Sequence, residues 1–578
     1  MRFDHVVEGD MLVVGSGLAG GLAAIRGLDA GKKVIVATKG KLCWSGASAV
    51  VGGAATAIPF PEDDKAVWMK AIVEVSDYTA DQEWVRDYIE NGYAQMEKIS
   101  EITRRHGLEG FPRDASGGYW RFSNPKYPVK TQLCSPYEIL EAFEKELRQR
   151  GAVCCERVMI THLLTEEGQV KGAFGFSYRT GESWLFCVPV VVMAAGGCTF
   201  KVDTYDNCGE PFAMAYEAGA KMMAFDRGGA LVRPRNAMRA GVLDNVPLAG
   251  LPQWLGARFV NAEGTELSEL MTPEELNSGR LGVDAAITRE VAAGRGPIYE
   301  DCTCLSPESK KLLFRLKKAN CRRVQVEYGL DPMEEKIPMR REQTEQTYVP
   351  DVCNRMGGID IDIHGESNIR GLFVAGDASA PKACAQHPFP GVEIGWAMFS
   401  GGRIGGYAVQ ACDRYGASDV KLCRKLAEPA VFELIQALNA HGPVTPDELK
   451  EKVMETLIPY NVNHCDEEAM KACIAKLEKV AEEMLPELGV RDFHELREYV
   501  EAKSMLWVAL MIVQSEIRRK ESRVGVHRRD YPMMDNVNWL KWIGFVKKDG
   551  RPEFFTEDIA TPYFDVPKTI TLQTRPRV

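Results

Sequence analysis

The sequence predicts an α/β protein with a doubly wound sheet domain in two separated pieces, an inserted α+β capping domain and a C-terminal helical domain. Near the N-terminus, a glycine-rich turn joins a short apolar strand to a helix. Strand-and-glycine patterns return near residues 190 and 371, and amphipathic helices fill residues 422–520. We therefore expect the sheet domain in residues 1–225 and 353–415. The cap would occupy residues 226–352, the helical domain 416–521 and a tail segment 522–578.

The first unit of the chain is a strand, a helix and a second strand, over residues 11–14, 18–28 and 34–37. Its turn carries the G-x-G-x-x-G pattern of a Rossmann-like dinucleotide site at Gly15, Gly17 and Gly20. Such glycines allow a tight turn, close approach of the backbone to a pyrophosphate and close helix–strand packing. The helix N-terminus then offers N–H groups to the phosphates. Thr38 and Lys39 stand where an acidic residue usually contacts the ribose, and the Thr38 hydroxyl can still hydrogen-bond it.

The remaining elements follow from periodicity and from breaks in it. Residues 82–106 and 136–151 are expected to be helices, and residues 188–193 a buried strand that runs into Ala194–Gly197. Residues 225–348 are irregular and rich in Gly, Pro and Arg, which indicates an inserted domain. A helix is expected over 392–414, and a helical bundle over 422–440, 446–456, 467–485 and 492–520. The aromatic and proline-rich tail is expected to wrap the surface.

Composition excludes some functions. The chain has 578 residues, 45% of them hydrophobic and 26% charged, as in ordinary globular proteins. A formal charge of −10 argues against nucleic acid as the main partner. The acidic start lacks the features of a signal peptide, and no apolar run approaches the roughly 18 residues of a membrane helix. We therefore expect a cytoplasmic protein without a direct membrane span.

The sixteen cysteines are scattered, and no C-x-x-C spacing occurs. This pattern predicts buried thiols in a reducing compartment and no metal site on this chain. If the reaction uses an iron–sulfur cluster, a partner protein must carry it.

Three glycine segments distinguish FAD from a nicotinamide cofactor. A nicotinamide enzyme needs only the first segment, whereas this chain repeats the pattern after two later strands, at residues 194–197 and 371–377. Asp377 is expected to hydrogen-bond a ribitol hydroxyl. The helix that begins near Val392 is expected to direct its dipole at the pyrimidine end of the flavin. The predicted cofactor-binding residues are Gly15, Ser16, Gly17, Leu18, Ala19, Gly20, Thr38, Lys39, Ser45, Gly46, Ala195, Gly196, Gly376, Asp377, Glu393 and Ile394.

The chain resembles the succinate dehydrogenase/fumarate reductase flavoprotein superfamily over nearly its whole length. The resemblance rests on residues 207–220, which follow the second glycine segment, on residues 356–359 (Met-Gly-Gly-Ile) and on Glu521-Ser522-Arg523. His527, Arg528 and Asp530 continue this last motif. The resemblance implies a mobile capping domain and an active site where that cap meets the flavin.

Departures from the family pattern are equally informative. Covalent members attach FAD through a histidine after a serine, whereas this chain has Ser45-Gly46, which predicts noncovalent FAD. Cys353-Asn354-Arg355 replaces the residues before Met-Gly-Gly-Ile, where the dicarboxylate enzymes have a histidine. Their Arg-Gly-Glu-Gly and Asn-Arg-Leu-Gly-Gly motifs are absent from the sequence, the second being replaced by residues 386–391. Succinate and fumarate are therefore not the expected substrates.

Several motifs are more similar to the alpha subunit of dissimilatory adenylylsulfate reductase. Residues 44–47 and 232–235 resemble its Arg-Ser-Gly-Ala segment and its arginine-bearing segment, which implies a substrate-binding role for Arg235. His387-x-Phe389 resembles its active-site motif, and Asn538-Trp539 its tail near an iron–sulfur subunit.

Two residues are the catalytic candidates. His387 has a side chain suited to proton transfer near neutral pH, with a structural histidine in a proline-rich turn as the alternative. Arg235 belongs to a cluster with Arg227, Arg233 and Arg239 that suits an anionic substrate, with a salt-bridged surface as the alternative.

Two functions follow. In the first, the chain is a reductase of a small anionic substrate, with electrons supplied by an iron–sulfur, ferredoxin-like protein or subunit. In the second, it is a flavin electron-transfer subunit without substrate chemistry of its own.

Overall fold

The computed structural model describes residues 3–50, 54–123, 128–198, 207–227, 230–234, 251–273, 276, 280–338, 348–352, 357–380, 391–457, 465–523 and 526–572. The described strands are β1 His5–Glu8, β2 Met11–Val14, β3 Val34–Thr38, β4 Ala54–Thr56, β5 Arg121–Ser123, β6 Lys130–Cys134, β7 Val153–Glu156, β8 Val158–Glu166, β9 Gln169–Ser177, β10 Ser183–Cys187, β11 Val190–Met193, β12 Met222–Met223, β13 Ala230–Pro234, β14 Arg258–Val260, β15 Tyr299–Asp301, β16 Ile337–Pro338, β17 Tyr348–Val352, β18 Gly358–Ile359, β19 Leu372–Val374, β20 Met533–Asp535, β21 Lys541–Lys548, β22 Arg551–Asp558 and β23 Ile570–Leu572. The described α-helices are α1 Leu18–Asp29, α2 Ala47–Val50, α3 Lys65–Val75, α4 Gln82–Arg105, α5 Pro136–Gln149, α6 Glu210–Glu217, α7 Leu251–Trp254, α8 Leu267–Leu270, α9 Arg280–Ala292, α10 Pro307–Leu316, α11 Lys318–Tyr328, α12 Val392–Tyr415, α13 Val420–Leu438, α14 Pro446–Leu457, α15 Glu467–Met484 and α16 Phe493–Glu516.

A five-stranded parallel sheet forms the centre of the molecule, in the order β19-β11-β2-β3-β7. Strands β2, β3, β11 and β19 are buried along their whole length, as expected for a parallel sheet covered on both faces. Because these strands are parallel, their carboxyl ends meet at one edge. The first glycine segment follows β2, the second follows β11 and the third begins just before β19 and ends after it, at Gly376-Asp377. The topology therefore brings all three segments to that edge.

Helices α1 and α12 pack closely on one another beside this sheet. A Cβ atom at Gly401 would lie 2.4 Å from the Ala19 carbonyl oxygen, and one at Gly405 would lie 2.8 Å from the Ala23 Cα. Only glycine permits this approach, so the two helices behave as one support for the glycine turn.

A second sheet, in the order β1-β10-β9-β8, lies beside the first and is covered by α13. Cys423, Ala427 and Leu434 of that helix share a buried core with Phe174 and Leu185 of the sheet.

The inserted region has more regular structure than its sequence suggests, since α9, α10 and α11 lie within it. It also contains the small sheets β13-β17 and β14-β15-β16. Its apolar core includes Leu133 of β6, and the rings of Trp254 and Phe122 lie 6.1 Å apart. The insert therefore packs against the β4-β6-β5 sheet of the N-terminal piece.

Helices α14–α16 pack against one another and begin at residues close to the expected positions. Asp466 and Asp492 cap α15 and α16, each accepting a backbone hydrogen bond at 2.9 Å. The tail does more than wrap the surface, because its hairpin β21–β22 completes a four-stranded sheet with β12 and β18. Among the described helices, none combines the length and apolarity needed to cross a membrane.

Candidate functional site

A cleft lies at the carboxyl edge of the central sheet, where the three glycine segments converge. Thirteen of the predicted cofactor-binding residues line it: Gly15, Ser16, Gly17, Leu18, Ala19, Thr38, Lys39, Ser45, Gly46, Ala195, Gly196, Gly376 and Asp377. They come from parts of the chain separated by up to 362 residues, from Gly15 to Asp377, so the fold alone explains their convergence.

The first glycine turn has space only for glycine at two positions. Gly15 has a φ of +96°, and a Cβ there would lie 2.4 Å from the Ala194 carbonyl oxygen. A Cβ at Gly20 would lie 2.1 Å from the Gly15 carbonyl oxygen. Gly20 therefore packs against the turn and does not line the cleft. At Gly17, the N-cap of α1, a Cβ would meet only the Ser48 hydroxyl, at 3.1 Å. The start of α1 therefore faces the cleft through backbone, which suits a phosphate group.

Hydrogen bonds fix two further parts of the cleft wall. The Ser16 hydroxyl accepts from the backbone N–H of Cys43 at 2.8 Å and fixes the turn that leads to Ser45 and Gly46. At the far side, Ser400 accepts from the N–H of Gly376 at 2.9 Å, and Trp396 donates to the Gly376 carbonyl at 3.3 Å. These contacts place Asp377 at the cleft margin.

Lys39 occupies the end of β3 and is shared between the cleft and the helical domain. Its ammonium group contacts Glu210, which also lines the cleft, and lies 2.8 Å from Glu501 of α16. The same Glu501 lies 2.9 Å from Lys450 of α14.

Thirteen lining residues are additional to the sequence-based set. They are Val14, Ala37, Ala47, Ser48, Val158, Met159, Ile160, Ala194, Asn207, Glu210, Pro211, Met214 and Ala397. Asn207 and Glu210 belong to the segment that carries the family resemblance and could have been included on that basis. The start of β8 had no such signal, because its contribution depends on how the second sheet meets the first.

Two predicted residues, Glu393 and Ile394, lie in the first turn of α12 and outside the cleft wall. Ala397, one turn further along, does line it, so this helix borders the cleft. The N-cap of α12 is Gly391, which has a φ of +95°.

Both catalytic candidates, His387 and Arg235, lie outside the described residues, as do Arg239 and Cys353-Asn354-Arg355. The side chains of Arg227 and Arg233 are also outside them. Their roles remain predictions.

Two tryptophans and one arginine, residue types that can contact a flavin or an anion, have partners within the protein. Trp396 is buried, with its ring 5.3 Å from that of Trp84. Trp44 donates to Glu144 at 2.6 Å. The half-exposed Arg258 lies 3.7 Å from Glu266.

Comparison with known proteins agrees with this geometry. Residues 10–387 match the model of the FAD binding domain family, and residues 451–575 match that of the fumarate reductase flavoprotein C-terminal region. The chain belongs to the succinate dehydrogenase/fumarate reductase flavoprotein superfamily. It is accordingly a FAD-dependent oxidoreductase of this flavoprotein superfamily.

Individual relatives cover nearly the whole flavoprotein. One of the subunits of the CoM/CoB fumarate reductase of Methanothermobacter marburgensis is 26% identical over 91% of this chain and 95% of its own. A structure of the FrdA protein of E. coli quinol fumarate reductase has a TM-score of 0.78, at 20% identity and 98% coverage of both chains. Adenylylsulfate reductase of Archaeoglobus fulgidus gives 0.72 at 19% identity, with 97% of both chains covered. At such identities the structural likeness shows the fold.

The chemistry of the residues that line the cleft fits FAD. It joins a glycine turn in which two positions have no room for a side chain, a helix N-terminus and polar side chains that follow β3 and β19, as a dinucleotide requires. The residues suited to hold the pyrophosphate are those at 15–18, while Thr38 and Lys39 suit the adenosine ribose and Asp377 suits the ribitol.

Proposed function

We propose that this flavoprotein reduces a small anionic substrate between the inserted cap and the flavin, with electrons supplied by an iron–sulfur partner. The observation that carries the proposal is the position of the insert beside the FAD cleft. Leu133 of β6 belongs to the core of the insert, and β6 pairs with β4. Strand β4 in turn contacts the start of α12, where the Ala57 N–H donates to the Gly391 carbonyl at 3.0 Å. One sheet thus links the cap to a helix that borders the cleft.

Ion pairs support a cap that docks against the FAD domain. Arg315 of the insert lies 2.8 Å from Glu109 and 3.2 Å from Glu138. Both ion pairs are partly exposed to solvent. Exposed pairs contribute little stability, so this contact is compatible with a cap that opens to admit substrate.

The substrate class follows from the four arginines between residues 227 and 239. Guanidinium groups bind carboxylate, sulfate or phosphate through paired hydrogen bonds, and we assign this role to Arg235. His387 is proposed to exchange a proton with the bound substrate, since imidazole titrates near neutral pH. FAD, when bound, supplies the electron pair.

The iron–sulfur partner is supported by the sequence, which has no C-x-x-C spacing. The Methanothermobacter relative is itself named as one subunit of its enzyme. All fourteen described cysteines are free, which supports a reducing, cytoplasmic setting.

A second function, that of an electron-transfer subunit without its own substrate, is favoured by one observation. The motifs that dicarboxylate enzymes use for proton transfer are absent from the sequence. In that case a separate protein would hold the substrate.

Flavin reoxidation distinguishes the two functions. Reduced holoprotein is mixed with enoates, acyl-CoA esters, sulfonucleotides and a ferredoxin, with absorbance recorded near the flavin maximum. We expect one small anion to reoxidise the flavin. Arg235→Ala should lower that kcat/KM roughly 10- to 100-fold, the worth of a charge-assisted hydrogen bond of about 1.5–3 kcal/mol.

Arg322→Ala provides the matched control, because Arg322 is an exposed arginine of the same insert. It should leave kcat/KM unchanged. Reoxidation by the ferredoxin alone, with no response to Arg235→Ala, would reject the substrate site and favour the electron-transfer function.

A further inference from the structure

A buried group of charges connects the FAD cleft to the helical domain. Glu501 of α16 stands at its centre, with Lys39 2.8 Å from one carboxylate oxygen and Lys450 2.9 Å from the other. Arg497 lies 3.7 Å from the same carboxylate. The side chains of Glu501 and Lys450 are only 4% and 2% exposed, so solvent barely screens these contacts.

Only one cation of this group also lines the cleft. Lys39 does so, together with Glu210, whereas Glu501 and Lys450 are outside the cleft wall. Lys39 is a flexible side chain at the end of β3, the place where a dinucleotide fold receives the adenosine ribose. A rigid partner is needed to keep its ammonium group in one position, and α16 supplies it from 462 residues further along the chain.

The charges are stable as ions. Burial alone would raise the pKa of Glu501, but Lys39, Lys450 and Arg497 hold this pKa well below its ordinary value. Burial would lower the pKa of Lys450, and Glu501 raises it above the usual lysine value. The carboxylate therefore remains charged at neutral pH, and removing its charge deprives the buried Lys450 of its nearest carboxylate.

We propose that Glu501 is a positioning residue for FAD: it holds the Lys39 ammonium at the adenosine end of the cleft. The affinity of the flavoprotein for FAD then depends on the docking of a helix that does not itself line the cleft. By linkage, bound FAD stabilises that docking in return.

FAD binding to apoprotein tests this role. Apoprotein from a riboflavin-auxotrophic host is titrated with FAD, and separately with ADP, which carries only the adenosine half. Glu501→Gln should raise the Kd about tenfold for both ligands, which corresponds to about 1.4 kcal/mol. Equal losses for FAD and ADP would localise the effect to the adenosine end.

A double-mutant cycle separates positioning from a general loss of structure. Lys39→Met should itself weaken FAD binding, and Glu501→Gln should then have no further effect in that background. If Glu501 only supported the fold, its substitution would weaken binding equally in both backgrounds, and the proposal would be wrong.

Glu495→Gln is the matched control. Glu495 lies on the same helix and pairs with Arg491, which is outside the buried group of charges. Its substitution should leave the Kd within twofold.

If Glu501→Gln is insoluble, Glu501→Asp can replace it, because aspartate retains the charge on a shorter side chain. A severalfold rise in the Kd for FAD that vanishes in the Lys39→Met background supports the proposal. An unchanged Kd in either Glu501 variant overturns it. All these experiments measure the binding of FAD or ADP, so their outcomes do not depend on which substrate the enzyme reduces.

Discussion

At the scale of single residues, the attachment of the cofactor depends on position 46. Gly46 lines the cleft, and its φ of +78° suits glycine. Glycine has no side-chain atom that could form a bond to the flavin. Ala47 and Ser48, which follow it in the cleft wall, carry no imidazole.

The first prediction is therefore noncovalent FAD. After acid precipitation of the holoprotein, we expect the yellow colour and the fluorescence of free FAD in the supernatant. A flavoprotein with histidyl-linked FAD, treated in parallel, should keep its colour in the pellet. A yellow pellet from this protein would show that another residue forms a covalent bond.

Residue roles were predictable where a motif fixes local geometry, and not where distant elements meet. Gly15 and Gly17 could be assigned to the cleft because the strand–turn–helix context determines what glycine does there. The contribution of Met159 could not, because it depends on the junction of two sheets. The contact of Lys39 with Glu501 joins residues too far apart for any local pattern to show it.

At the scale of elements, helices with a strong apolar stripe and an N-terminal cap were predicted closely. The helix α4, with Asp81 as its cap, was expected over residues 82–106 and spans Gln82–Arg105. The mixed sheet β1-β10-β9-β8, in which β1 runs parallel to β10, was not predicted, since its edge strands lack strict alternation of buried and exposed positions. The helix α9 was missed because its sequence has almost no amphipathic pattern.

Buried arginines after α16 connect several elements. Arg519 contacts Asp226, lies 2.6 Å from Glu521 and donates to the Lys541 carbonyl at 2.7 Å. Arg523 also pairs with Glu521, at 2.7 Å. The end of the helical domain is thus connected to the tail and to Asp226, the first residue of the expected insert.

Arg519→Met should lower the free energy of unfolding by about 3–5 kcal/mol, because it removes the cation that pairs with the buried Asp226 and one of the two arginines that pair with Glu521. Urea denaturation followed by circular dichroism measures this change. Arg529→Met is the control, since Arg529 is 57% exposed and its pair with Asp466 should contribute less than about 1 kcal/mol. Equal effects of the two substitutions would contradict the structural role of the buried cluster.

At the scale of the whole molecule, the cofactor site joins parts of the chain that the insert separates. Gly15 to Gly46 come from the first piece of the FAD domain, and Gly376 and Asp377 from the second. Glu501 connects the helical domain to this site, because it pairs with Lys39, which lines the cleft. FAD is therefore expected to act as a crosslink between these parts when it binds.

The last prediction is that FAD removal destabilises the entire flavoprotein and not the glycine turn alone. A ligand that binds only the folded state, at about 1,000 times its Kd, adds about 4 kcal/mol. The unfolding entropy is about 2.1 cal/mol/K per residue, so 578 residues that unfold as one unit shift their midpoint by only roughly 0.8 °C per kcal/mol. The unfolding midpoint of apoprotein should therefore fall by about 3 °C, measured by differential scanning calorimetry. Adding FAD should restore the midpoint, whereas FMN, which lacks the adenosine half, should restore less of it.

Hydrogen exchange should show that FAD protects α14 and α16 as well as α1. We expect this because Lys39, at the cleft, pairs with Glu501 of α16, which in turn pairs with Lys450 of α14. If protection stopped at the cleft wall, the helical domain would be energetically independent of the cofactor.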